Sequence, residues 1–130
     1  MILLKKSVFE NFHTYLFDAA GVIYTDNGIL PKMPDIIRQC QKTSSVFLVT
    51  NNSYMYPTFI AEKLNKKDIH FQLDHIISSG AVNYDTQLSN LLRDQIVYVL
   101  GEKTSFPYFI DAGCKSITKQ LDDASVIILA

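Results

Sequence analysis

Tryptophan is absent from this 130-residue chain, and cysteine, proline and glycine are sparse, at two, four and five residues. Cys40 and Cys114 are far apart in sequence and fit no metal-ligand spacing. Two thiols also cannot supply the disulfide framework of a small secreted scaffold, so each reads as a small core residue in a reducing compartment. An excess of one charge is lacking too: 12 basic residues stand against 13 acidic ones, a formal net charge of -1. Lys5-Lys6 and Lys66-Lys67 are too short to be basic tracts, so no nucleic-acid footprint is expected. No apolar run approaches the ~20 residues that a membrane span needs. The apolar start at Met1-Ile2-Leu3-Leu4 is too short for the core of a signal peptide. These absences give the expectation of a cytoplasmic chain with neither a nucleic-acid nor a membrane partner.

What is present is a rhythm. Hydrophobic residues make up 48% of the chain and gather in short runs. Thr14-Tyr15-Leu16-Phe17, Ser45-Val46-Phe47-Leu48-Val49, His75-Ile76-Ile77-Ser78, the run from Gln95 to Leu100 and the run from Ala124 to Leu129 read as strands. Their near-continuous apolar character predicts a sheet buried on both faces. Between them lie helical segments. Pro34 suits a first helical position ahead of Ile36, Ile37 and Cys40, and Pro57 does the same ahead of Ile60, Ala61 and Leu64. Residues 80 to 93 carry a looser helical pattern, and Phe106 to Ala112 form a short helix ended by Gly113. Strands alternating with helices predict an α/β fold with a doubly wound parallel sheet, in one domain over residues 1–130. One stretch departs from the rhythm. Asn27-Gly28 between apolar triplets is a hairpin signal, and it would place a flap beyond the carboxyl end of the first strand, where such sheets bind ligands.

Two strand ends carry candidate chemistry. Asp18 closes the first run, where a carboxylate can serve as a nucleophile, as a hard-cation ligand or simply as a turn cap. Thr50-Asn51-Asn52-Ser53 closes the second, where hydroxyl, amide and backbone N–H groups can cradle a phosphate or form an ordinary polar turn. If the two strands are adjacent and parallel, Asp18 and Thr50 fall side by side. His13, His70 and His75 form no metal pair with a clear third ligand and read as structural or solvated.

At this point the residues resemble a family. Phe17-Asp18-Ala19-Ala20-Gly21-Val22 is similar to the first motif of haloacid dehalogenase (HAD) hydrolases, Asp-x-Asp-Gly. Val49-Thr50-Asn51-Asn52-Ser53 is similar to the second motif, most of all to that of the class IIA branch, which includes sugar-phosphate, nucleotide and para-nitrophenyl phosphate phosphatases. Lys63-Leu64, Ile76-Ile77-Ser78-Ser79-Gly80 and the Val97 to Glu102 stretch continue the likeness along the chain. The resemblance implies a HAD-like Rossmannoid core acting on a phosphorylated small molecule. Asp18 would attack phosphorus and become an aspartyl-phosphate. Mg²⁺ would be held by Asp18 and the backbone carbonyl of Ala20. Thr50, Asn51 and Asn52 would hold the phosphoryl group.

Two departures qualify what the resemblance implies. The second aspartate of the first motif falls on Ala20, so the usual general acid–base is missing, a loss that typically costs ~10²–10⁴ in rate. The third-motif lysine and the acidic fourth motif find no counterpart, so the core is expected to be incomplete and without a cap domain. The strand of Asp18 is then expected at a sheet edge, which invites pairing with a second copy. The alternative function is a non-catalytic remnant that binds phosphate, Mg²⁺ or a partner chain. A receiver-like signalling module is disfavoured, because Asp18 has no acidic neighbour and no later strand ends on an acceptor aspartate.

Overall fold

The computed structural model describes residues 12–83 and 88–130. The described residues divide into two compact units, one of residues 12–50 and 61–77 and the other of residues 51–60, 78–83 and 88–130.

In the first unit, β1 (Thr14–Asp18) pairs in parallel with β4 (Ser45–Thr50), in a sheet ordered β1-β4-β5, where β5 is Ile76–Ser78. β4 is central because its alternate residues Val46, Leu48 and Thr50 are buried. Full burial of an aliphatic side chain of this size contributes about 1.5–3 kcal/mol. Helix α1 (Met33–Cys40) packs against β4 and buries Ile37 and Cys40. Its proline lies in the first turn, as the sequence predicts, and Lys32 caps it in the left-handed region. Helix α2 is Pro57–Asn65, and Ile60, Ala61 and Leu64 are its buried positions.

The expectation of a sheet buried on both faces does not hold for β1. Thr14, Leu16 and Asp18 are exposed and Tyr15 and Phe17 half-buried, with Leu16 at 67% exposure. The reason is position: among the described strands β1 pairs with β4 alone, so an apolar run here does not mean a central strand.

The second unit has its own parallel sheet, ordered β7-β6-β8, with β6 (Ile96–Leu100) between β7 (Ser116–Thr118) and β8 (Val126–Leu129). Its core gathers Leu92, Val97, Tyr108, Phe109 and Ala112. Helix α5 (Phe106–Asp111) supplies Tyr108 and Phe109 to that core. The helical pattern read over residues 80 to 93 resolves into α3 (Ser79–Asn83) and α4 (Ser89–Leu92), and residues 84–87 lie outside the described ones. The α/β class with parallel strands is therefore as the sequence predicts, and among the described residues the strands form two three-stranded sheets and one two-stranded sheet.

A two-stranded hairpin completes the first unit. β2 (Tyr24–Thr25) and β3 (Gly28–Ile29) are antiparallel, with Thr25 opposite Gly28. Gly28 has a φ of 108°, a conformation that glycine adopts without the Cβ penalty other residues meet.

Candidate active site

Parallel pairing sets the register that matters most. Asp18 stands opposite Val49, and Thr50 is the next residue of β4. Both strands run the same way, so both residues lie at the carboxyl ends of neighbouring strands, the edge where open α/β sheets hold their ligands. The juxtaposition expected from sequence is therefore present. Asp18 is exposed, and its Oδ1 accepts the Ala19 N–H at 2.8 Å. Thr50 is 7% exposed. The strand ends thus set a solvent-exposed carboxylate near a largely buried hydroxyl residue.

The segment after Asp18 is bound tightly to itself. The N–H groups of Ile23 and Tyr24 both donate to the Ala19 carbonyl, at 2.9 and 3.1 Å, and the Gly21 N–H donates to the Tyr24 carbonyl at 2.7 Å. These bonds form the isolated bridge between Ala20 and Tyr24. The bridge uses the Ala19 carbonyl and the Gly21 N–H, which leaves the Ala20 carbonyl outside it. Ile23 is fully buried and anchors the turn. The Nζ of Lys63 lies 5.7 Å from the centre of the Tyr24 ring, within cation–π range.

Asn51 is exposed and follows Thr50 directly; Asn52 is half-buried. The Asn52 side-chain oxygen accepts the Met55 N–H at 2.8 Å, a local turn of the kind asparagine favours. That atom is thus committed to the loop's own shape.

The rest of this loop is tied within the second unit by bonds that no sequence pattern announced. The Tyr56 N–H donates to the Thr104 carbonyl at 3.1 Å. The Tyr108 hydroxyl donates to the Met55 carbonyl at 2.9 Å and lies 3.0 Å from the Ser78 hydroxyl. The Tyr56 hydroxyl donates to the Asp111 carboxylate, and the two tyrosine rings are 4.8 Å apart. The bond to Asp111, together with burial, pushes the Tyr56 phenol up to about 12. The only hint in the sequence is that Tyr56 and Tyr108 carry hydroxyls on otherwise apolar stretches, and a buried tyrosine hydroxyl usually finds a partner.

Among the described residues no group of three or more histidine, cysteine, aspartate or glutamate side chains is placed to hold a metal ion. The histidines are structural or solvated, as read from sequence. His75 stacks on Phe47 at 4.2 Å with its Nδ1 3.0 Å from the Val46 carbonyl, His70 has its Nδ1 2.8 Å from Asn65 Oδ1, and His13 is exposed. No helix among the described residues is long and apolar enough to cross a membrane.

A family model described as haloacid dehalogenase-like hydrolase matches residues 15–115. Phosphoglycolate phosphatase 2 of Arabidopsis thaliana is 34% identical over 101 residues, which are 74% of this chain and 33% of that protein. A 4-nitrophenylphosphatase of Schizosaccharomyces pombe is 27% identical over 100 residues, 75% of this chain and 34% of that one. Among solved structures, one described as a possible sugar phosphatase of the HAD superfamily from Cytophaga hutchinsonii aligns with a TM-score of 0.74 and 26% identity, covering 95% of this chain and 46% of its own. The chain thus spans about a third of the length of the curated relatives it matches. With the match running from β1 through α5 and both motifs inside it, the chain belongs to the haloacid dehalogenase-like hydrolases.

Proposed function

We propose that the chain carries the nucleophilic half of a phosphate-ester hydrolase site, with Asp18 as nucleophile and Thr50, Asn51 and Asn52 as the phosphate-holding group. The observation that carries this reading is the register of β1 on β4, which sets Asp18 beside the end of Val49-Thr50. In the first step a carboxylate oxygen of Asp18 attacks phosphorus. The bond from phosphorus to the ester oxygen breaks, and that oxygen leaves with the electron pair. In the second step water attacks phosphorus, the bond to Asp18 breaks, and phosphate and the free carboxylate remain.

Mg²⁺ belongs to this reading, and the donors fit it in kind: the Asp18 carboxylate and the Ala20 carbonyl are hard oxygen ligands. The ion would neutralise charge between a carboxylate and a phosphate dianion as they approach. With one carboxylate in the set, binding is expected to be weak until substrate phosphate adds its own oxygens.

Ala20 shapes the expected chemistry. Its methyl group cannot protonate a leaving oxygen or activate water. Substrates whose leaving group needs no proton, such as acyl phosphates and nitrophenyl phosphate, should therefore suffer least in the first step. The second step keeps its deficit whatever the substrate, so the aspartyl-phosphate should accumulate. Incubation with acetyl phosphate and Mg²⁺, followed by intact-mass and peptide mass spectrometry, tests this. One added phosphoryl group on the peptide containing Asp18, absent in Asp18→Asn, is the expected result. An unmodified chain at saturating acetyl phosphate would favour the second reading, a non-catalytic remnant that binds phosphate, Mg²⁺ or a partner chain, which Ala20 itself recommends. Among the described strands β1 pairs with β4 alone, and Leu16 is exposed, which adds a partner to this reading: a second copy of this chain.

A further inference from the structure

We infer that Tyr108, seated against Gly80, is the positioning residue of the loop that leaves the second motif, and that it acts on phosphate binding through that loop without touching phosphate. This rests on the reading of Thr50, Asn51 and Asn52 as the phosphate-holding group. The loop is short, yet each residue from Asn52 to Tyr56 meets a partner within the second unit. The Gly80 N–H donates to the Asn52 carbonyl at 3.4 Å. The Thr104 hydroxyl lies 3.5 Å from the Tyr54 carbonyl, and the Thr104 carbonyl accepts the Tyr56 N–H at 3.1 Å. Tyr108 donates to the Met55 carbonyl at 2.9 Å.

Ser53 is held by close approach instead. A Cβ placed on Gly80 would stand 2.6 Å from the Ser53 carbonyl oxygen and 2.8 Å from the Tyr108 hydroxyl. Carbon atoms do not approach a fixed carbonyl that closely, so glycine is what allows loop, tyrosine and α3 to meet. Tyr108 is 2% exposed, its ring belongs to the core of the second unit, and its hydroxyl also meets Ser78, which is fully buried and itself bonded to the Ala81 N–H at 3.2 Å. The hydroxyl that grips the loop is thus held by a rigid ring at one end and a buried serine at the other. A bond from so constrained a donor restricts the loop more than one from a mobile surface side chain, because little further freedom is lost on forming it.

Tyr108→Phe keeps the ring in the core and removes only the hydroxyl; Gly80→Ala presses on the same loop from the other side. The test has two readouts on the full chain: amide hydrogen exchange by NMR, and the affinity for inorganic phosphate with Mg²⁺ present. In Tyr108→Phe the Met55 and Tyr56 amides should exchange about tenfold faster, the size expected for one lost hydrogen bond, and in Gly80→Ala they should also exchange faster, while Val97 and Val99 in β6 keep their protection. Phosphate affinity should fall by a similar factor. Unchanged loop exchange in Tyr108→Phe, or loss of protection shared equally by β6, would overturn the inference. So would phosphate binding that is unchanged while the loop loosens. If the unaltered chain binds no phosphate, the reading of Thr50, Asn51 and Asn52 fails, and with it the effect on affinity. The exchange pattern then decides whether Tyr108 holds the loop at all.

Discussion

Asp18 and Ala20 lie two residues apart, at the end of β1 and just beyond it, and the proposed chemistry asks different things of each. As the proposed nucleophile, Asp18 would need only a reachable carboxylate, and it is exposed at the end of β1. Ala20 occupies the position from which the family's second aspartate would move protons, and its methyl group has none to move. Tyr56 presents a third residue-scale case, because its phenol is raised to about 12 by Asp111 and by burial. The folded pKa lies above the ordinary tyrosine value of about 10. The stabilisation from this bond is therefore complete below pH ~10 and is lost as pH rises through the window up to about 12. Urea denaturation of the native chain and of Tyr56→Phe, repeated from pH 8 to roughly pH 12, should show their stability difference shrinking across that window. A constant difference would mean that the bond contributes nothing specific. The place of Asp18 at a strand end was legible because an apolar run closed by a carboxylate is a local pattern. The Tyr108 bond to Met55 was not, since its partners are 53 positions apart and nothing near either residue encodes the other.

At the scale of elements, what periodicity could convey came through best where runs were long and apolar. β4, β6 and β8 stand where the sequence placed them. β7 was missed because three residues, Ser116 to Thr118, are too few to show a period, and its strand character comes from pairing with Ile96 to Tyr98. Periodicity also said nothing of whether β1 was central or marginal, since an apolar run looks alike in both places. That position has a consequence. β1 pairs with β4 alone among the described strands and exposes Leu16, and open edges of this kind recruit further strands. Sedimentation velocity over a wide concentration range should show self-association, and Leu16→Lys should suppress it, because a charged side chain at an edge opposes pairing. A chain that stays monomeric at every concentration would remove the second copy from the proposal.

For the molecule as a whole, the motif order along the chain revealed the family, and the fold agrees with it. The alternation of strand and helix made the α/β class legible along the chain. The chain spans about a third of its curated relatives. The most direct measurement is hydrolysis of 4-nitrophenyl phosphate with Mg²⁺ by three proteins side by side: the chain itself, Asp18→Asn and Ala20→Asp. The expected result is slow turnover by the chain, none above background in Asp18→Asn, and a gain in Ala20→Asp of on the order of 10²-fold, the low end for a restored general acid–base. Turnover that survives in Asp18→Asn, or an Ala20→Asp variant no faster than the chain, would contradict it.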